Sequence, residues 1–279
     1  MTQPPSDIAL RSVGRAPRVI AYVKDLLRHR ELMAMLATNE FRARHRGTVL
    51  GAGWNLLAPL LLLGTYWLVF GIVLSGRRPE NFLAFLAVGV FLFRFVERSV
   101  QAAVTSMTRG KGLIRSIHFP RAVLPLADVV RNGLGFLWEL PVVFLIVVMT
   151  AGVPKAGWSV LLMVIVPLSM LFTAGVALLF ARLGSVFLDV KQLAAIMFRI
   201  LFYLSGILFP IQAFVSEHPL LVYLPLNPIY AFVTLARHYT LAPQPQLALI
   251  WTSAVVWTVV AAVAGIVFFS RAEYRYSRD

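Results

Sequence analysis

Four polar side chains interrupt an otherwise apolar stretch: Arg94, Glu97, Arg98 and Gln101, followed by Thr105. At about 100° per residue they fall within one arc of a helix, so the stretch reads as one helix with a polar stripe. Charges at this depth in a lipid-facing position cost a few kcal/mol each and therefore mark either an internal ion pair or a pathway. Both readings stand at this point: a structural ion pair with inter-helix hydrogen bonds, or the lining of a pore or a subunit seam. Aromatic residues near the ends of neighbouring runs, Tyr66, Phe82 and Phe85 among them, suit an interfacial belt or the core. Facing a lumen, they would stack on sugar rings.

Other chemistry is poorly served. Gly110-Lys111-Gly112 lacks the upstream glycine and the following Ser/Thr of a phosphate loop, so the chain is not expected to hydrolyse a nucleotide. No HExxH occurs, the five histidines are scattered, and no two aspartates lie within one helical turn, as a Mg-diphosphate site would require. No metal site is expected. The absence of cysteine removes disulfides, thiolate ligands and thiol nucleophiles.

The elements that must hold the stripe are membrane helices. Of 279 residues, 59% are hydrophobic and 14% charged, against about 25% charged in soluble domains. The apolar blocks are long enough to cross a bilayer, which takes about 20 helical residues. They lack the alternation of a β-barrel. The expected fold is an all-α polytopic membrane protein with six transmembrane helices, at about 49–74, 82–106, 133–153, 159–183, 193–209 and 247–270. Residues 1–17 read as a disordered cytoplasmic tail without a signal peptide. Residues 18–48 read as an amphipathic cytoplasmic interface region, and 271–279 as a second cytoplasmic tail. Within the interface region, His29 to Glu31 is a candidate break between two short helices. The proline-rich stretch after the fifth run is too apolar for a solvated loop. Short helices in the outer leaflet fit it best.

Where Lys and Arg fall sets the orientation. Nineteen of the 26 lie on the side of the two termini, four on the other (Arg77, Arg78, Lys155 and Arg237), and Arg94, Arg98 and Arg199 within spans. Both termini are expected to be cytoplasmic in a multi-pass protein. Arg42, Arg44 and Arg46, with Trp54, then stand as interface anchors where the amphipathic region runs into the first span. The net charge of +14 is accounted for by this distribution, and no nucleic acid is expected as a partner. Asp128 and Arg131 are spaced to pair on one helical face.

Three segments in order carry a resemblance to a known family: FRARHRGTVLGAGWNLLAPLLLLGTYWLVFG from Phe41, GKGLIRSIHFPRAVLPLADVV from Gly110, and NPIYAFVTLAR from Asn227 to Arg237. The chain resembles the permease subunit of ABC-2 type exporters, in the polysaccharide, O-antigen and teichoic-acid branch. The resemblance implies a homodimer bound to two copies of a separate ABC ATPase. That ATPase carries ATP and Mg, and no cofactor is bound by this chain. It implies export of a lipid-linked glycan, on a polyprenyl diphosphate, across the bacterial cytoplasmic (inner) membrane. An interface helix is implied at about Arg18 to Arg30. The loop at about Met107 to Ile117 is implied to dock on the ATPase through Arg109, Lys111, Leu113, Ile114 and Arg115. The channel or dimer seam would be lined by aromatic and polar side chains, here Arg94, Glu97, Arg98, Gln101, Tyr66, Phe82 and Phe85. The charges at Arg94, Glu97 and Arg98 are denser than that span usually carries. A multidrug or small-lipid exporter permease is the alternative within this class. A membrane-embedded glycosyl- or prenyl-group transferase would need a carboxylate-rich inner loop, whereas these loops are basic.

Overall fold

The helix that carries the polar stripe, Phe82–Val104, is buried on almost every side, and the other elements are arranged around it. The computed structural model describes residues 19–43, 53–73, 79–152, 157–211 and 219–276. Among these the elements are α1 (Val19–Arg28), α2 (Arg30–Ala43), α3 (Trp54–Val73), α4 (Phe82–Val104), α5 (Ser106–Arg109), α6 (Lys111–Ser116) and α7 (Val123–Ala151). They continue with α8 (Gly157–Val160), a π-helical turn (Leu161–Ile165), α9 (Val166–Val186), α10 (Val190–Leu204), a 3-10 helix (Pro219–Leu226), α11 (Pro228–Thr240) and α12 (Leu247–Tyr276). No strand forms among the described residues.

Among the described residues, four helical stretches are long and apolar enough to cross a membrane: Leu56–Val73, Val123–Ala151, Gly157–Val186 and Leu247–Arg271. α4 is 23 residues long but carries three charges. α10 has 15 residues, about 22 Å of helix at about 1.5 Å per residue, short of a hydrocarbon core of about 30 Å. The expected fifth run to residue 209 thus ends early. Gly206, at φ +62, turns the chain there, a conformation an L side chain rarely adopts. The third run, expected from residue 133, instead begins at Val123. Pro125 sits in the first turn of α7, where its missing N–H would have had no helical partner, so it does not bend the helix. The π-helical turn lies immediately before Pro167, which opens α9 at its first positions.

Packing follows the small residues. A Cβ on Gly175 of α9 would lie 2.3 Å from the Ala261 carbonyl carbon of α12, and one on Gly265 would lie 2.3 Å from the Gly175 oxygen. These two backbones therefore touch, the close approach that small residues allow between membrane helices. α4 packs on α7 and α9, and on their margins against α3, α10 and α11. Large apolar side chains of α3, α7, α10 and α12 remain exposed, Ile72, Trp138, Leu193 and Val256 for example, as a lipid-facing or subunit-facing surface requires.

The amphipathic region is two helices broken at His29, whose Nδ1 bonds the Asp25 carbonyl at 2.9 Å. α1 is pinned to the far end of the chain. The Tyr22 hydroxyl donates to Glu273 Oε2 at 2.5 Å, and the Arg121 amide donates to Glu273 Oε1 at 2.8 Å. Burial is the first cause holding the Glu273 carboxyl above its ordinary range. The bonds from the Arg121 amide and Tyr22 oppose it. Burial, then the charge of Glu273, pushes the Tyr22 hydroxyl up, so it stays a donor. α2 packs along α7.

Candidate functional site

The polar stripe of α4 divides between two surroundings. Arg98 turns to α7, where its Nη1 donates to Glu139 Oε1 at 2.9 Å. Glu139 is 1% exposed, so this is an internal ion pair joining two helices. The rest of the stripe faces a cavity of about 440 Å³ between α3, α4 and α10. Arg94, Glu97 and Gln101 form one wall of that groove, and Arg199 of α10 adds a further cation. Gln101 Nε2 donates to Glu97 Oε1 at 3.2 Å. The split follows from helical geometry: Arg98 stands about 100° round the helix from Glu97, enough to reach a different neighbour.

Aromatic rings from all three helices complete the lining. Tyr66 of α3 meets Phe202 of α10 at 5.5 Å between ring centroids, and Phe93 of α4 meets Phe202 at 5.1 Å. Tyr203 continues the row, 5.6 Å from Phe202, and is 54% exposed. Edge-to-face and tilted pairs of this kind are the favoured aromatic geometries. The groove therefore offers aromatic rings beside charged donors and acceptors.

Of the residues singled out in the sequence, Tyr66, Arg94, Glu97 and Gln101 share this groove. Phe82 and Phe85 do not. They stack on each other at 6.5 Å, and Phe85 lies under the guanidinium of Arg237, 3.4 Å from ring centroid to Cζ. Sequence reasoning placed Arg237 with the outer-side cations, but it is 5% exposed. It donates to the carbonyls of Gly206 (2.8 Å), Ile207 (2.9 Å) and Phe85 (3.0 Å from Nη2). The NPIYAFVTLAR segment is thus a cap and a clamp. Asn227 accepts from the Ile229 and Tyr230 amides at the start of α11, and its Nδ2 donates to Ser205 Oγ at 3.0 Å. Ten residues later Arg237 ties up the carbonyls left open where α10 ends. Arg199, Phe202 and Tyr203 are the lining residues the sequence did not single out as a set. Their spacing on α10 could have shown them, since an arginine one turn before two aromatics repeats the α4 pattern of charge beside rings.

A second polar cluster sits at the other end of α4. Arg109 Nη2 donates to Asp128 Oδ2 at 2.6 Å, and its Nη1 lies 3.6 Å from Glu40 Oε1. Arg131 pairs with Asp128 at 2.8 Å, the predicted partners on one face of α7, and also with Glu40 of α2. Asp128 and Arg131 are 3% and 2% exposed. This network ties α2, α5 and α7 together, and it uses Arg109, which the sequence assigned to docking. Beyond it α6 presents Lys111 and Arg115 outward, with Leu113 and Ile114 half-buried. Of the expected interface anchors, Arg44 and Arg46 lie outside the described residues and Arg42 falls in the last turn of α2. Trp54 opens α3 and is 48% exposed. Among the described residues no group of three or more His, Cys, Asp or Glu could hold a metal ion.

These features define a multi-pass helical membrane protein in which the charges of α4 pair with Glu139 or face the groove. Comparison with known proteins sharpens the class. The chain is 28% identical over 260 residues, 91% of its length and 98% of the relative's, to the O-antigen export system permease protein RfbA of Myxococcus xanthus. It is 25% identical over 249 residues to a protein of the same name from Klebsiella pneumoniae, covering 88% of this chain and 94% of that one. It is 25% identical over 211 residues, 72% and 78% of the two lengths, to the polysialic acid transport protein KpsM of Escherichia coli. No family model matches the chain. The similarity to polysaccharide-export permeases spans nearly the whole chain, in agreement with the resemblance its three segments carry.

Proposed function

We propose that this chain is the membrane-spanning subunit of an ATP-driven exporter that moves a lipid-linked polysaccharide, on a polyprenyl diphosphate, out across the cytoplasmic membrane. The groove between α3, α4 and α10 carries the reading. It sets ring faces that suit sugars against charged groups that suit hydroxyls and anions, on helices of a chain whose relatives are named as O-antigen and polysialic acid transport proteins. Six spans follow if α4 and α10 cross with the four long apolar helices. α4 can do so because its charges face Glu139 and the groove rather than lipid. The short α10 can do so in a locally thinned bilayer or with the Gly206 turn still within it.

The chain forms a homodimer in this reading, since one subunit is narrow for a glycan path. Energy comes from two copies of a partner ATPase that hold ATP and Mg, docked at α6 through Lys111, Leu113, Ile114 and Arg115. Both termini are cytoplasmic. The network of Glu40, Arg109, Asp128 and Arg131 then relays movement of the docking segment to α2 and α7.

Co-purification tests this. Tagged chain should bring down an ATPase subunit, and the pair in proteoliposomes should hydrolyse ATP while the chain alone does not. Glycan transfer to the outside should require both. Activity of the isolated chain on a nucleotide-sugar would replace this reading with that of a transferase.

A further inference from the structure

Among the described residues, five charged groups gather around the polar stripe of α4: Arg94, Arg98 and Arg199 against Glu97 and Glu139. Arg98 and Glu139 neutralise each other at 2.9 Å. The groove is left with two guanidiniums and one carboxylate, an excess of one positive charge. Glu97 already accepts from Gln101. Arg94 makes no hydrogen bond or ion pair among the described residues, and its Nε is buried without a partner. Arg199 likewise makes none, and it is exposed to the groove mouth. An arginine stays charged under all ordinary conditions. At membrane depth an uncompensated guanidinium is costly unless a counter-charge reaches it.

We propose that this groove is an anion station, in which Arg94 and Arg199 hold an oxyanion, phosphoryl or carboxylate, carried by the exported glycan or its lipid. The proposal rests on the export reading and names the chemistry that the groove selects. The guanidinium fork fits both kinds of oxyanion with two parallel N–H bonds. The row of Tyr66, Phe202 and Tyr203 provides ring faces for the sugar next to the anion. A cavity of about 440 Å³ is within the usual range of small-ligand sites. Glu97 sits beside the two cations and repels the anion. That repulsion suits a pathway, which must bind well enough to admit a group and weakly enough to release it.

The test uses the assembled transporter, permease with ATPase, in lipid nanodiscs and measures equilibrium binding of two matched probe pairs. One pair is farnesyl diphosphate and farnesol; the other is a glucuronate-containing tetrasaccharide and its carboxyl-reduced, neutral form. The anionic member of at least one pair should bind about tenfold more tightly than its neutral partner, as charge-assisted hydrogen bonds imply. That preference should fall to near unity in Arg94→Gln and in Arg199→Gln, and Arg94→Lys should keep part of it. Glu97→Gln should tighten anion binding several-fold. Preference confined to the farnesyl pair assigns the oxyanion to the lipid carrier, and preference confined to the sugar pair assigns it to the glycan. No preference in either pair, or a preference that survives both Gln variants, overturns the proposal. So does a shift from dimer to monomer in Arg94→Gln, which would make Glu97 of a second copy the counter-charge. Anion-selective binding by a complex that moves no glycan would sink the export reading and leave the station standing. Export by Arg94→Gln that favours acidic over neutral glycans as strongly as the unaltered complex does would do the reverse.

Discussion

The guanidinium of Arg237 and the backbone of Gly89 occupy adjoining space: a Cβ on Gly89 would lie 2.6 Å from Arg237 Nη2. Arg237 cannot swing aside. Its nitrogens are committed to the carbonyls of Phe85, Gly206 and Ile207, and its plane lies over the Phe85 ring. The N-terminal part of α4, the end of α10 and α11 are therefore held by one side chain, and a glycine on α4 makes room for it.

Gly89→Ala should accordingly destabilise the protein by about 1–3 kcal/mol, the usual cost of overpacking a filled site. Gly64→Ala on α3, where a Cβ meets nothing within 4 Å, should be neutral or slightly stabilising, because alanine is the better helix former. Thermal unfolding of the two variants in the same detergent separates these outcomes. Equal midpoints would show that Arg237 is not fixed.

The Arg98–Glu139 pair predicts a different pattern. Glu139→Ala leaves a partly buried Arg98 without its partner on α7 and should destabilise the protein by about 2–3 kcal/mol, below the about 3–5 kcal/mol of a fully buried pair. Pairing it with Arg98→Met, which removes both charges, should restore most of that loss. A double-mutant cycle on unfolding measures the coupling, and additive losses would mean that the two side chains do not interact.

Docking and structural roles of the basic loop should separate by readout. Lys111→Glu and Arg115→Glu, both on exposed positions of α6, should reduce recovery of the ATPase with no change in unfolding midpoint. Arg109→Glu should lower the midpoint, since it places a carboxylate against Asp128 and Glu40. Loss of ATPase recovery in Arg109→Glu with unchanged stability would move Arg109 back to the docking surface.

The attachment of α1 should depend on pH. Burial raises the Glu273 carboxyl above its ordinary value, so the folded state holds its proton more tightly than the unfolded chain does. The stabilisation is complete below the unfolded value and is lost as pH rises through the raised, folded one. The folded protein should therefore gain stability on acidification from neutral pH toward the ordinary carboxylate range. Glu273→Gln, which is permanently neutral, should lack that part of the pH dependence. Unfolding midpoints of both proteins measured across this interval provide the check. Parallel curves would show that Glu273 ionises normally.

The sequence by itself determined the class of fold, because apolar runs at membrane length are local properties that do not depend on what packs where. It also determined the Asp128–Arg131 pair, whose spacing along one helix fixes their proximity. Charge at membrane depth was legible, but its use was not. Arg98 and Glu139 are 41 residues apart, and only the packing of α4 on α7 separates that ion pair from the groove formed by Arg94, Glu97 and Gln101. The same limit hid Arg237, an outer-side cation by its place in the chain and a buried clamp by its contacts. It also hid Arg199, which lines the groove only because α10 leans on α4. Helical periodicity tells which side chains share a face. Which face meets another helix, lipid or an open groove is decided by tertiary packing, because that depends on the shapes of all the neighbours at once.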